Sequence, residues 1–592
     1  MKGALLTFSL TGIAVVGYAG YKKFFSRPGE SAIQQIPADV DMVVSLDTTP
    51  SPDQTEAFRQ LGDAMKANGL DDEFTKGVDS MFGRTGLAPT VRQQLGTSFA
   101  MGMWGNGISS GQPDMIVLIS LKDKSAAEQA LKSSGKTTSQ VGSHTVYEVS
   151  SSTFATMHND FLVIAPNAKS LGHLDEVGAK GSIAQNSDFA LARQGLAADT
   201  NLMCFISPKM ISSISTKAPN LMKWMAFGAS LQNSGLRFEF NTPLGPDGAK
   251  WAEQSATASP ISPAAYQLLP SGALGVFAIS QPGKYIQDGM NGVKNFGPDN
   301  MGGNPDAMDK GIADFEKETG LNFKNDVLSA MNGTLFMAAY PTSVAGQLRG
   351  NKASIDRELM RNGDMLLVLT KENGSDPTAL VQKLEAYAQS HKVTISRDGD
   401  VSEAKPTATP EAAPNTPPAP GATPAPEQIQ PQNELEGKKF CWKMTGDALY
   451  FATSRELLDK AIAAKSGQNM SNDAPYMAMV QRTNRFAFAV NPFRIANSLR
   501  SGIADFAGGS AEGDAMMAVF GSKDAAMTME MNYQNNTYSG SLYVPLNYEA
   551  LVQQFKKMGS NERRPISPDM SNPQPPMGAP NAPESTPPFS AK

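Results

Sequence analysis

Short apolar runs alternate with amphipathic stretches along most of the chain. Asp114 to Leu121 (DMIVLISL) is one such run, and its continuous apolar character predicts a strand. Ser125-Ala-Ala-Glu128 follows with the spacing of a capping box, Ser125 as N-cap and Glu128 at the third helical position. That helix is expected to reach about Ser133 and to stop near Gly135. Two short strands are expected around 144–150 and 161–165, joined by a turn at His158-Asn159-Asp160, and a second helix over 167–177. Strand, helix, hairpin, helix, strand predicts an α+β unit whose sheet is largely antiparallel.

The pattern occurs twice. Ile36-Pro37-Ala38-Asp39 leads into VDMVVSL, and Leu269-Pro270-Ser271-Gly272 leads into ALGVFAI. Thr85-Gly86-Leu87 recurs as Thr319-Gly320-Leu321, and Gly96-Thr97-Ser98-Phe99 as Gly333-Thr334-Leu335-Phe336. DMIVLISL recurs as DMLLVLTK from Asp364, the turn at Asn159-Asp160 as Gly446-Asp447, and Asn201 to Pro208 as Arg485 to Pro492. In the second copy Asp376-Pro377 opens the first helix, and the second spans 454–465. Order is kept while the offset drifts, as in a duplication. The expected organisation is α+β: two tandem homologous modules, each a mostly antiparallel sheet with packed helices, after an N-terminal membrane helix. The boundaries are 1–27 for the membrane segment, 28–258 for module one, 259–559 for module two and 560–592 for a Pro-rich tail read as disordered. The offset jumps across 402–436, rich in Pro, Ala and Thr, which cannot supply ladder donors and reads as a disordered insertion within module two.

Residues 4–21 (ALLTFSLTGIAVVGYAGY) hold no charge; Lys2 precedes them, and Lys22, Lys23 and Arg27 follow. At 1.5 Å per residue they span about 27 Å, enough for a hydrocarbon core. The reading is a signal anchor in the cell membrane, single-pass, against a cleaved signal peptide with Gly17 and Ala19 near its cut, or a buried helix. The flanking bases favour a cytoplasmic body. Low charge and the Pro-, Ser- and Asn-rich stretches argue for an extracytoplasmic one, which is the expectation adopted.

Composition removes several functions. Charged residues make up 18% of 592 and net charge is −6, so no basic footprint for nucleic acid is present. Two cysteines exclude a disulfide framework and a CxxC-type zinc site, and four histidines leave little for histidine catalysis. Ala130 to Thr137 (ALKSSGKT) resembles a phosphate-binding loop but lacks its first glycine and falls in an expected helix. His144, His158 and His173 lie close in sequence and could ligate zinc or copper, against scattered surface histidines. Met527, Met529 and Met531 alternate and so share a face. Core filling is the expected role, with hydrophobic-ligand lining and Cu(I) binding as the alternatives. Cys204 reads as a buried thiol, its pairing with Cys441 left open, and Asp71-Asp72 as helix-start or surface charge. No catalytic, cofactor-binding or metal-ligating residue is assigned, and no cofactor.

The Pro-Ala-Asp entry into a strand, the Thr-Gly-Leu helix, the Gly-Thr-x-Phe strand and the Asn/Gly-Asp hairpin resemble an uncharacterised bacterial family, domain of unknown function 3352, over most of residues 30–550. The resemblance implies an envelope-associated or membrane-anchored protein and carries no catalytic residue. Ala88-Pro89 stands where the second copy has Asn322-Phe323, which leaves that helix boundary open. The expected function is a non-enzymatic binding or structural protein of the envelope, with the membrane and an unknown protein or lipid as partners. The alternatives are a carrier of lipid or another hydrophobic ligand lined by Met and Phe, and an enzyme with a non-local site.

Overall fold

The computed structural model describes residues 32–46, 51–70, 86–105, 114–249 except 135 and 215–220, 252, 258–296, 305–341, 363–405 except 373 and 392, 440–502 except 483, 518–520 and 524–561. The expected membrane segment and most of the tail lie outside these residues. Among the described residues no helix is long and apolar enough to cross a membrane.

The described residues build one twenty-stranded sheet in which every pairing is antiparallel. The first half supplies β1 (Met42–Leu46), β2 (Leu95–Trp104), β3 (Asp114–Leu121), β4 (Lys136–Val141), β5 (His144–Ser150), β6 (Thr153–His158), β7 (Phe161–Ala165), β8 (Leu202–Ile206), β9 (Met225–Gln232) and β10 (Gly235–Pro243). The second supplies β11 (Gly275–Ser280), β12 (Thr334–Pro341), β13 (Gly363–Thr370), β14 (Thr394–Asp398), β15 (Val401–Lys405), β16 (Phe440–Met444), β17 (Ala448–Ala452), β18 (Phe486–Val490), β19 (Met527–Gln534) and β20 (Thr537–Pro545). The spatial order is β4-β5-β6-β7-β3-β2-β1-β8-β9-β10, then β20-β19-β18-β11-β12-β13-β17-β16-β15-β14. The second series repeats the first in reverse, so the halves meet edge to edge at β10 and β20.

Hydrogen bonds repeat with the strands. Ser207 N donates to Asp41 O at 2.8 Å, and Asn491 N to Leu274 O at 2.8 Å. Ile183 N donates to Ile36 O at 2.8 Å, and Met470 N to Leu269 O at 2.9 Å. At the seam the two halves exchange equivalent bonds: Leu546 N to Ser234 O and Leu244 N to Asn536 O, both 2.9 Å.

The recurring motifs mark backbone requirements. Gly86 and Gly320 both have positive φ, +82° and +69°, which a side chain disfavours, and each turns the chain so that the next leucine is buried. A Cβ on Gly96 or Gly333 would strike the backbone of Ser120 or Thr370 on the neighbouring strand. Asp114 and Asp364 each accept from a serine at the helical segment that follows the β6–β7 or β16–β17 hairpin, Ser170 Oγ at 2.7 Å and Ser454 Oγ at 3.1 Å.

Helices α1 (Pro52–Ala67), α2 (Pro89–Gln93), α3 (Lys124–Ser134), α4 (His173–Lys180) and α5 (Ser187–Gln194) belong to the first half; α6 (Thr378–Ser390), α7 (Arg455–Ala464) and α8 (Tyr548–Asn561) to the second. Three local expectations are corrected. Asp123, not Ser125, caps α3: its Oδ1 accepts from Ala126 N at 2.9 Å, while Glu128 turns outward to Lys132 at 2.7 Å. The turn at His158-Asn159-Asp160 joins β6 to β7, because a further strand, β6, separates it from 144–150. Residues 402–405, assigned to the insertion by composition, pair as β15 with β14 and β16; 406–439 lie outside the described residues.

One face of the sheet is sealed. In the first half, Val43, Ala100, Ile116, Leu118 and Phe205 pack with Leu174 of α4 and Phe189 of α5. In the second, Val276, Phe336, Leu366 and Val368 pack with Leu458 of α7, Tyr266 and Tyr476.

Candidate functional site

Strand alternation sends every second side chain to the opposite face. There the pairing register lines up Leu202, Ala229, Phe238, Leu542, Met529, Phe488, Phe277 and Met337 as cross-strand neighbours from β8 to β12. A second row runs beside it through Cys204, Phe227, Phe240, Gly540, Met531, Phe486 and Ile279. Both rows are apolar and cross the seam, where the Phe240 ring lies against Gly540. Phe277 and Phe486 meet edge to face, ring centroids 5.1 Å apart.

Among the described residues this face is closed in parts. Helices α2 and α3 pack on its first-half end through Val91 and Leu131 against Ile119 and Leu162. Helices α1 and α8 close one end of the seam over Leu231 and Leu236, and Leu244 and Ala252 lie against Tyr533 and Tyr538 at the other. Between these patches the rows are largely half-buried, and Phe227 and Met337 are 39% and 41% exposed. A groove opens at the seam between α1, the β9–β10 turn and the start of α8, with Arg59, Asp63, Asn233 and Glu549 on its wall.

Methionine is segregated by face. Met42, Met101, Met103, Met115, Met157 and Met225 in the first half, and Met337, Met365, Met444, Met527, Met529 and Met531 in the second, all stand on this face. None of them is buried. Among the strand methionines only Met203 stands on the sealed face, 6% exposed. The expectation that Met527, Met529 and Met531 fill a core is therefore corrected: they share a face as their spacing requires, but the sealed positions between them are Thr528 and Glu530.

The other candidates separate. Ala130 to Ser134 lie in α3 and Thr137 in β4, so no strand–loop–helix phosphate cradle forms. His144 and His158 meet with ring centroids 5.1 Å apart. His144 Nε2 lies 3.2 Å from Asp175 Oδ1, and His158 Nε2 3.0 Å from Gln35 Oε1. Burial, with His144 beside it, holds the His158 pKa below the ordinary histidine value. His173 is engaged elsewhere, stacked on Trp104 at 3.7 Å between Asp114 and Glu176, each 3.1 Å away. Among the described residues no three His, Cys, Asp or Glu side chains are gathered to hold a metal. Cys204 points to the half-open face and Cys441 into the sealed core, so the sheet separates them and no disulfide joins them. Burial pushes the Cys204 thiol up to about 11. Asp71 and Asp72 lie outside the described residues.

Sequence reasoning found the long apolar strands but not the open face. The available signal was parity: in ten-residue β2, alternate positions are Phe99, Met101 and Met103 against Ala100, Gly102 and Trp104.

Two solved structures of TP0453 are similar over part of the fold. Crystal form IV has 10% identity and a TM-score of 0.22, covering 36% of this chain and 79% of that one. Crystal form I has 12% identity and a TM-score of 0.20, covering 37% and 80%. At these values the likeness carries no argument. A search of curated proteins finds no match. The family profile described as "Protein of unknown function (DUF3352)" matches residues 1–485, and with its motifs now placed at the turns and close approaches of an antiparallel sheet, the chain belongs to that family.

Proposed function

We propose that this is a non-enzymatic binding protein of the cell envelope, built from two copies of one module, whose half-open sheet face takes the apolar chains of lipids. The observation that carries the reading is the methionine segregation. Along the same strands the sealed face uses Ala, Val and Phe packed to near-zero exposure, and the other uses Met and Phe left half-covered. Methionine is unbranched and polarizable, so a methionine-lined surface moulds itself to a mobile acyl chain where a branched core would demand one shape. A contiguous apolar surface of this length is costly to leave in water and marks a binding face. The apolar run at residues 4–21 supports anchoring beside a lipid source, with the body extracytoplasmic.

The test is native mass spectrometry of the full chain extracted in detergent, joined to displacement of a fluorescent fatty acid. Lipid is expected to co-purify, and Phe227→Asp with Met337→Asp is expected to abolish probe binding while the fold is retained. A lipid-free protein that ignores the probe overturns the reading. A variant that keeps the probe but loses a protein complex replaces it with the docking of a protein partner.

A further inference from the structure

Four of the methionines stand together at one corner of the half-open face: Met42 on β1, Met101 and Met103 on β2, and Met115 on β3. Met42 is directly opposite Met103, and Met103 directly opposite Met115. Opposed positions hold their Cβ atoms about 4.5–5.5 Å apart. Each sulfur sits two bonds beyond Cβ on a freely turning stem, so three thioethers from adjacent strands can reach a common centre. Met527, Met529 and Met531 cannot do the same. They follow one another along a single strand at about 6.8 Å per step, which puts the outer two about 13–14 Å apart at Cα.

The second half shows that the fold does not need this cluster. At the equivalent corner of β11, β12 and β13 the opposed residues are Gly275, Ala339 and Met365. Among the described residues, the cross-strand neighbours of the first-half cluster on the same face are Val44, Val117 and Ile206, and none carries a charge or an imidazole. An uncharged, sulfur-only donor set rejects hard ions, which need oxygen ligands, and is weak for zinc, which takes thiolate or imidazole. It suits a soft monovalent ion.

We propose that Met42, Met103 and Met115 bind Cu(I) through their three thioether sulfurs, with Met101 lining the site. The ion is held as Cu(I) and no electron transfer is involved. The inference stands apart from the lipid reading: Phe227→Asp with Met337→Asp, which removes probe binding, is expected to leave Cu(I) binding unchanged. Leucine has nearly the volume and the apolar character of methionine but no sulfur, so it preserves packing and removes the donors.

The experiment is an anaerobic titration of the full chain with Cu(I) against a coloured Cu(I) chelator, with X-ray absorption of the loaded protein. One Cu(I) per chain and a sulfur-only first shell are expected. The combined variant Met42→Leu, Met103→Leu and Met115→Leu is expected to bind at least about tenfold more weakly while its urea unfolding stays close to the parent's. Met527→Leu with Met529→Leu and Met531→Leu is expected to bind Cu(I) as the parent does. Unchanged affinity in the first variant overturns the proposal. So does a first shell containing nitrogen, which moves the ion to the histidines, or loss of binding in Cys204→Ser, which makes it a thiolate site.

Discussion

The two faces of this sheet share every backbone atom and differ in almost everything else. Phe336 and Met337 are adjacent on β12; the first is fully buried and the second 41% exposed. The sealed face packs Ala, Val, Phe and Tyr against helices, with Met203 as its one strand methionine. The other face carries the remaining strand methionines beside Phe, Leu and Ile, and among the described residues helices cover it in patches. Strands apolar on both sides ordinarily mean burial on both sides. Here the same pattern serves one face that closes and one that stays available, so the choice of apolar residue, and not apolarity itself, tells the faces apart.

The comparison can be broken most forcefully on the sealed side. Phe336→Ala is expected to cost about 3–5 kcal/mol in urea unfolding, because it opens a cavity in a fully packed core. Arg494→Ala should cost a similar amount. Its guanidinium grips Asp473 at 2.6 and 2.7 Å, and without it a carboxylate only 7% exposed is left uncompensated, about 3–5 kcal/mol. Tyr340→Phe removes a 2.9 Å bond to Pro270 O under the same cover and should cost about 1 kcal/mol. On the half-open side, Met337→Ala is expected to cost less than about 1 kcal/mol, since much of its surface is already wet. If Met337→Ala matched Phe336→Ala in urea unfolding, the face would be core and the binding reading would fall.

A finer contrast concerns acid. His158 faces His144, Asp175 and Lys124, and its folded pKa lies below the unfolded value. A histidine shifted down binds fewer protons when folded, so its contribution is complete above the unfolded pKa, about 6.5, and is lost as pH falls through that value toward the folded one. Urea unfolding of the parent and of His158→Gln should therefore converge below pH 6. A difference that stays constant with pH would show that His158 matters only through its contact with Gln35.

How much of this was legible in sequence varies with the physics behind each element. Long apolar strands such as β3 announced themselves, and the recurring motifs coincide with backbone events that only certain residues permit, a positive φ at Gly86 and Gly320 and a close approach at Gly96 and Gly333. Strands β4 (KTTSQV) and β6 (TFATMH) did not, because polar edge and turn-adjacent strands take their place from neighbours and not from local propensity. The α3 cap was misplaced because two capping residues stood two positions apart and only packing chooses between them. The seam had no local signal either: β10 and β20 mix Arg237, Glu239 and Ser541 with Phe and Leu, and pairing across the whole chain decides their fate. The candidate face was hidden for the same reason. Parity shows which side chains share a face, but coverage by helices is a property of the assembled fold.

The seam also sets the timetable of synthesis. Ser234 bonds Tyr543, a partner 309 residues later in the chain. At about 5–20 residues per second, roughly 15–60 s pass between the emergence of the two. Throughout that interval β10 is a nascent edge with its donors and acceptors unmatched, a template for whatever strand arrives first.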